Sequence, residues 1–193
     1  MSEYRFTDGN LIILYSIHRG KSTDGGKGIP DYINERIKAC LNIYRIIMHS
    51  KPDRHKTMIL IVAHRKYVED VKDELVRAGV DEKIIAIDSV SKNVAQCFDK
   101  VVNIIKKRAN PPYLYFIGSV WLKDIYDYVV VSKLKGYRVQ FEGALDHRPI
   151  NEVEKEKALD VPKKGIEYYK RKAKDKTIDM VLNYIFPDNN KLP

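Results

Sequence analysis

Short apolar runs alternate along this chain with longer stretches in which apolar residues recur every three or four positions. The runs LIILYSI from Leu11, MILIVA from Met58, KIIAID from Lys83, YLYFIG from Tyr113 and YRVQFEG from Tyr137 are rich in β-branched and aromatic residues. Each is apolar on both faces, as a strand covered from two sides must be, and each predicts a buried β-strand. Between the first two, Ile33, Ile37, Cys40, Leu41, Tyr44, Ile47 and Met48 fall at helical spacing behind Pro30, a residue favoured in a first helical turn. Val68, Val71, Leu75 and Ala78 predict a second helix ending at Gly79. Val94, Cys97, Phe98, Val101, Val102 and Ile105 predict a third, with Ser91 or Asn93 as its cap. A fourth runs from Val120 through Ile125, Tyr126 and Val129 to Leu134 and stops at Gly136.

Strands and helices in this alternation predict right-handed crossovers and a three-layer, doubly wound, mostly parallel five-stranded sheet of Rossmann-like α/β class over residues 1–145. After that the texture changes. DHRPINEVEKEKALDVPKKG is charged and broken by Pro149 and Pro162, IEYYKRKAKDK is basic, and in TIDMVLNYIF the residues Ile178, Val181, Leu182 and Ile185 form an apolar stripe. Residues 146–193 are therefore expected to be a C-terminal helical extension packed on the same domain. Its last helix would dock on the sheet or on a second copy in a homodimer.

Composition narrows the class. A chain of 193 residues with 44% hydrophobic content can bury one sizeable core. No apolar run approaches the roughly 20 residues that cross a bilayer, and MSEYRFTDGN lacks the apolar centre of a secretory signal, so a cytoplasmic chain without a transmembrane segment is expected. Cys40 and Cys97 both fall on apolar helix faces, which predicts buried free thiols, and no cysteine or histidine spacing suggests a metal site. The net charge of +9 favours an anionic partner. Lysine and glutamate enrichment with only Gln96 and Gln140 is equally the surface of a basic protein from a thermophile.

The loop after the first run contains GKST, the end of a phosphate-binding P-loop, but Tyr15 stands where that pattern needs its first glycine. The dinucleotide fingerprint G-x-G-x-x-G is absent, and Ser119 lacks the flanking glycines of a nucleophile elbow. What remains is topological. In a parallel sheet the loops that follow the strands gather at one edge, where ligands of open α/β sheets bind. That edge would collect Arg19, Lys21, Gly25, Gly26 and Lys27 from the first loop, and His64, Arg65 and Lys66 from the second. The third loop adds Asp88, Ser91 and Asn93, the fourth Ser119 and Trp121, the fifth Asp146, His147 and Arg148. Glycine amides with Lys21 and Lys27 would grip an anion. Asp88 or His64 would serve as general base, and Ser91 and Asn93 would orient the ligand. Plain alternatives stand beside these roles: Ser91 and Asn93 as helix caps, Asp88 as a turn residue, Glu35 and Arg36 as a surface pair, Trp121 as packing.

Several of these residues occur in an order that resembles the YdcF/SanA-type family of uncharacterised α/β proteins. The resemblance is carried by NERIKACLNIYR from Asn34, then VEDVKDELVRAGVDEKIIAIDSVSKNVAQC, then LYFIGSVWLKDIYDYVVVSKLKGYRVQF. Glu35 and Arg36 match the family's E-R pair, Asp88 its acidic position, Ser91 and Asn93 its S-x-N, and Ser119 its later serine. Val94, Gln96 and Cys97 depart from the threonine, glutamate and asparagine that close the family motif. The resemblance implies a pocket for a small anionic or nucleotide-like ligand, with S-adenosylmethionine or a nucleotide as occupant, and transferase or hydrolase chemistry as an extension of binding. Asp88 and Glu35 would then bond hydroxyls or an amine, and Trp121 would stack on a base.

A competing function is nucleic-acid or cyclic-oligonucleotide binding by a regulatory protein. It rests on the charge and on Tyr168, Tyr169, Lys170, Arg171, Lys172, Lys174 and Lys176, where rings and cations mix. Glu167 and Asp175 interrupt that stretch, as in an ordinary solvated basic helix face.

Overall fold

A computed structural model of the chain describes residues 9–17, 28–50, 54–106 and 110–160. Its elements are β1 (Asn10–Ser16), α1 (Asp31–Ser50), β2 (Thr57–Ala63), α2 (Val68–Arg77), β3 (Ile85–Asp88), α3 (Val94–Ile105), β4 (Tyr113–Ser119), α4 (Lys123–Lys133), β5 (Val139–Ala144) and α5 (Ile150–Asp160). The five strands form one sheet in the order β3-β2-β1-β4-β5, and every adjacent pair is parallel. This is the expected Rossmann-like α/β sheet, with the chain reversing its direction of travel across the sheet between β1 and β4.

Strand position explains strand composition. The central β1 is buried at all seven residues and reads as a continuous apolar run, whereas the edge strands β3 and β5 are mostly half-exposed. Side chains alternate between two cores. Leu11, Ile13 and Tyr15 of β1 pack with α3 and α4, and Ile12 and Leu14 pack with α1 and α2. The first core is aromatic at its centre: the Phe98 and Phe116 rings lie 5.2 Å apart, Phe116 and Tyr126 5.4 Å, and Tyr126 and Phe141 5.0 Å. Cys97 belongs to this core and Cys40 to the other; both are fully buried and neither is in a disulfide, and burial pushes the Cys40 thiol up to about 12.

Helix ends follow local chemistry. Asn93 caps α3 by accepting the Gln96 N–H at 2.9 Å, so of the two expected caps it is Asn93 that serves. Gly79, at φ +93°, ends α2: its N–H donates to the Val76 carbonyl at 2.9 Å and the Val80 N–H to the Leu75 carbonyl at 3.1 Å. That is a Schellman arrangement, closed by the buried pair Leu75 and Val80. Two expectations need adjustment. Pro30 precedes α1 instead of opening it, its carbonyl accepting the Asn34 N–H at 3.1 Å. Pro149 does not break the charged segment but stands before α5, its carbonyl accepting the Glu152 N–H at 2.9 Å. In both cases the carbonyl of a residue that cannot donate still caps the helix that follows. The fourth helix also starts later than its apolar spacing suggests, because Val120–Leu122 form a 3-10 turn before α4. Among the described residues no helix is long and apolar enough to cross a membrane.

Candidate functional site

Parallel pairing brings Ser16, Ala63, Asp88, Ser119 and Ala144 to one edge of the sheet, so the loops that carry the expected site residues do share a rim. They divide into two constellations there. Of the first loop, Arg19, Lys21, Gly25, Gly26 and Lys27 lie outside the described residues.

Over the ends of β2 and β3 lies a cleft of about 620 Å³ lined by Ile17, His64, Arg65, Ser89, Val90, Ser91, Lys92 and Asn93. Its floor is organised by Asp88. One carboxylate oxygen accepts the Val90 and Ser91 N–H groups, both at 3.0 Å; the other accepts the Ser91 hydroxyl at 2.5 Å, and Lys100 of α3 closes an ion pair. Burial alone would raise the Asp88 pKa, but hydrogen bonds from Lys100, Ser91 and Val90 outweigh it and hold the carboxyl below its ordinary value. A carboxylate so engaged is a weak base. With Asn93 occupied in capping, three of the residues expected to act on a ligand, Asp88, Ser91 and Asn93, shape the loop between β3 and α3. The groups left facing the cleft are His64, Arg65, Ser89 and Lys92. The Lys66 N–H donates to His64 Nδ1 at 3.3 Å, so in the neutral ring the proton sits on Nε2 and His64 is a donor. Arg65 and Lys92 make no ion pair among the described residues.

Across the rim, at the ends of β1, β4 and β5, the charges are shut in. Arg36 of α1 is fully buried. Its Nε and one terminal nitrogen donate to Ser119 Oγ at 3.0 and 2.7 Å, and the other terminal nitrogen to the Tyr15 carbonyl at 3.0 Å. Ser119 passes its own proton toward Asp146 at 2.8 Å, and Trp121 Nε1 donates to the same carboxylate at 2.9 Å. Arg148 completes the cluster: it donates to Asp146 through Nε at 2.8 Å and a terminal nitrogen at 2.7 Å, pairs with Glu156 of α5, and lies 3.6 Å above the Tyr32 ring. Asp146 and Glu156 each stand 3.9 Å from Arg36. Two guanidinium groups and two carboxylates thus neutralise one another.

Burial lowers the Arg36 pKa while Glu156 and Asp146 counter it, and for Asp146 burial is outweighed by the donors Arg148, Trp121 and Ser119, which leave its carboxyl well below the usual range. Ser119 has no exposed surface and its proton is committed to an ionised partner that binds protons weakly. The arrangement builds no nucleophile. Trp121, expected to stack on a base, is held by its indole N–H.

Glu35 goes elsewhere. One step along α1 from Arg36 is about 100° around the helix, and Glu35 pairs on the outside with Lys38 at 2.6 Å, beside a second groove that also contains Asp31, Glu74, Arg77 and His147. Reasoning from residue types missed Ser89, Lys92, Tyr32 and Glu156. Lys92 is one of 35 basic residues and Glu156 sits inside the run EVEKEK, so neither has a local signature. The basic stretch Tyr168 to Lys176 and the apolar stripe from Ile178 lie outside the described residues. Among the described residues no three His, Cys, Asp or Glu side chains converge as a metal site.

No protein-family model, curated protein or solved structure matches this chain. The YdcF/SanA resemblance rests on its short motifs.

Proposed function

We propose that this protein binds a small anionic, nucleotide-like ligand in the cleft over the carboxyl ends of β2 and β3. One observation carries the reading: His64, Arg65 and Lys92 line a single concavity that has no acidic residue in its described lining, and Asp88 beneath it is already neutralised by Lys100. It lies on the carboxyl edge of the sheet, to one side of the β1–β4 reversal where open parallel sheets bind ligands, and its size suits a small organic molecule. Ile17, at the end of β1, lines the same cleft. Any proton transfer at this site would fall to His64, with transferase or hydrolase chemistry as the reaction classes in view.

The chain also reads as a divergent relative of the YdcF/SanA family. In support, Arg36 and Ser119, matched to that family's motifs and 83 positions apart, meet through two hydrogen bonds.

Native mass spectrometry of the purified full chain tests the site. An anionic adduct is expected on the wild type and should be lost from the double variant Arg65→Ala, Lys92→Ala. An adduct retained by the double variant would overturn the assignment.

A further inference from the structure

Resting on the cleft just proposed, we infer that the ligand is anchored by a dianionic phosphoryl group, as in a phosphate monoester, held between Arg65, Lys92 and the Nε2–H of His64. Arg65 and Lys92 together bring two positive charges with no ion-pair partner among the described residues, and the Asp88–Lys100 pair adds none in return. A carboxylate or a phosphodiester would leave one cation unmatched; a monoester in its dianionic form matches both.

Guanidinium presents N–H groups in a fork that fits two oxygens of one phosphate, lysine supplies a compact charge, and His64 adds a single directed donor. Three terminal oxygens of a monoester accept from all three residues, which the two oxygens of a carboxylate do less completely. Ser89, half-buried and making no hydrogen bond with a described residue, offers a further hydroxyl.

Val90, 62% exposed, and Ile17 add apolar side chains to the lining, and about 620 Å³ exceeds what a free phosphate needs. Cations and apolar groups in one concavity of that volume suit an organic monoester of nucleotide size.

Isothermal titration of the full chain with three related probes tests this: AMP, a dianionic monoester; 3′,5′-cyclic AMP, a monoanionic diester; and adenosine, which is neutral. AMP is expected to bind at least about tenfold more tightly than cyclic AMP, and adenosine more weakly still. Arg65→Ala with Lys92→Ala should abolish the AMP preference without moving the unfolding midpoint of the free protein. Ribose 5-phosphate serves as a monoester control without the base, and inorganic phosphate as the phosphoryl group without an ester. If AMP and cyclic AMP bind alike and both weaken in the double variant, the cleft stands as an anion site and the demand for a second charge is overturned. AMP affinity unchanged in the double variant would remove the site itself. Binding by none of the phosphate monoesters would overturn the phosphoryl inference.

Discussion

The two halves of the sheet's carboxyl edge treat charge in opposite ways. At β1, β4 and β5 the buried Arg36, the half-buried Arg148 and two acids with buried side chains close on one another. At β2 and β3 the acid is withdrawn into a loop and the cations stay in solvent around a cleft. Both halves are polar and both lie on the sheet's carboxyl edge, the closed half at the β1–β4 reversal itself. Desolvation separates them: a buried charge must be paired, so it becomes part of the framework, whereas an exposed cation keeps its water and can exchange it for a ligand. Residue type alone would have ranked Arg36 and Ser119 with the binding groups.

The comparison breaks most visibly at Arg36. Arg36→Ala leaves Asp146 and Glu156 to Arg148 alone and strips Ser119 Oγ and the Tyr15 carbonyl of their buried donor, and a loss of about 3–5 kcal/mol is expected in chemical denaturation. A near-neutral result would mean that the closed half is not held by its charges. Acid should act next. Asp146 and Asp88 both have native values below their unfolded ones near about 3.9. Their contribution is complete above that value and is lost as pH falls through the lower native one. Denaturation curves should therefore show stability level at mildly acidic pH and falling below about pH 4. Asp146→Asn should lower stability at neutral pH and flatten that acid limb. The smallest effect belongs to the open half: Arg65→Ala with Lys92→Ala should leave the denaturation midpoint where it is, since nothing described depends on those side chains. A marked shift would place them in the framework and dissolve the contrast.

Much of the fold was legible because it is local. Apolar runs without alternation require cover on both faces, and helical spacing between them supplies it, so five strands, four helices and a parallel sheet follow from periodicity. The cap at Asn93 and the stop at Gly79 could be read because each depends on residues within one turn. The helix after Pro149 was expected only as part of a helical extension, because its charged residues show a faint apolar face; Val153 and Glu156 are the residues it buries.

The site was legible only as a rim. The chain by itself determined that strand ends and their polar loops share one edge, since parallel strands joined by helices leave no other arrangement. Which of those polar groups would be spent on one another was decided by the order β3-β2-β1-β4-β5, which sets β1 beside β4. Arg36 thereby meets Ser119 across 83 positions, while Glu35, its neighbour in the chain, turns outward to Lys38. Burial and pairing are properties of the assembled interior, and they set whether a charge holds the fold or remains available to a ligand.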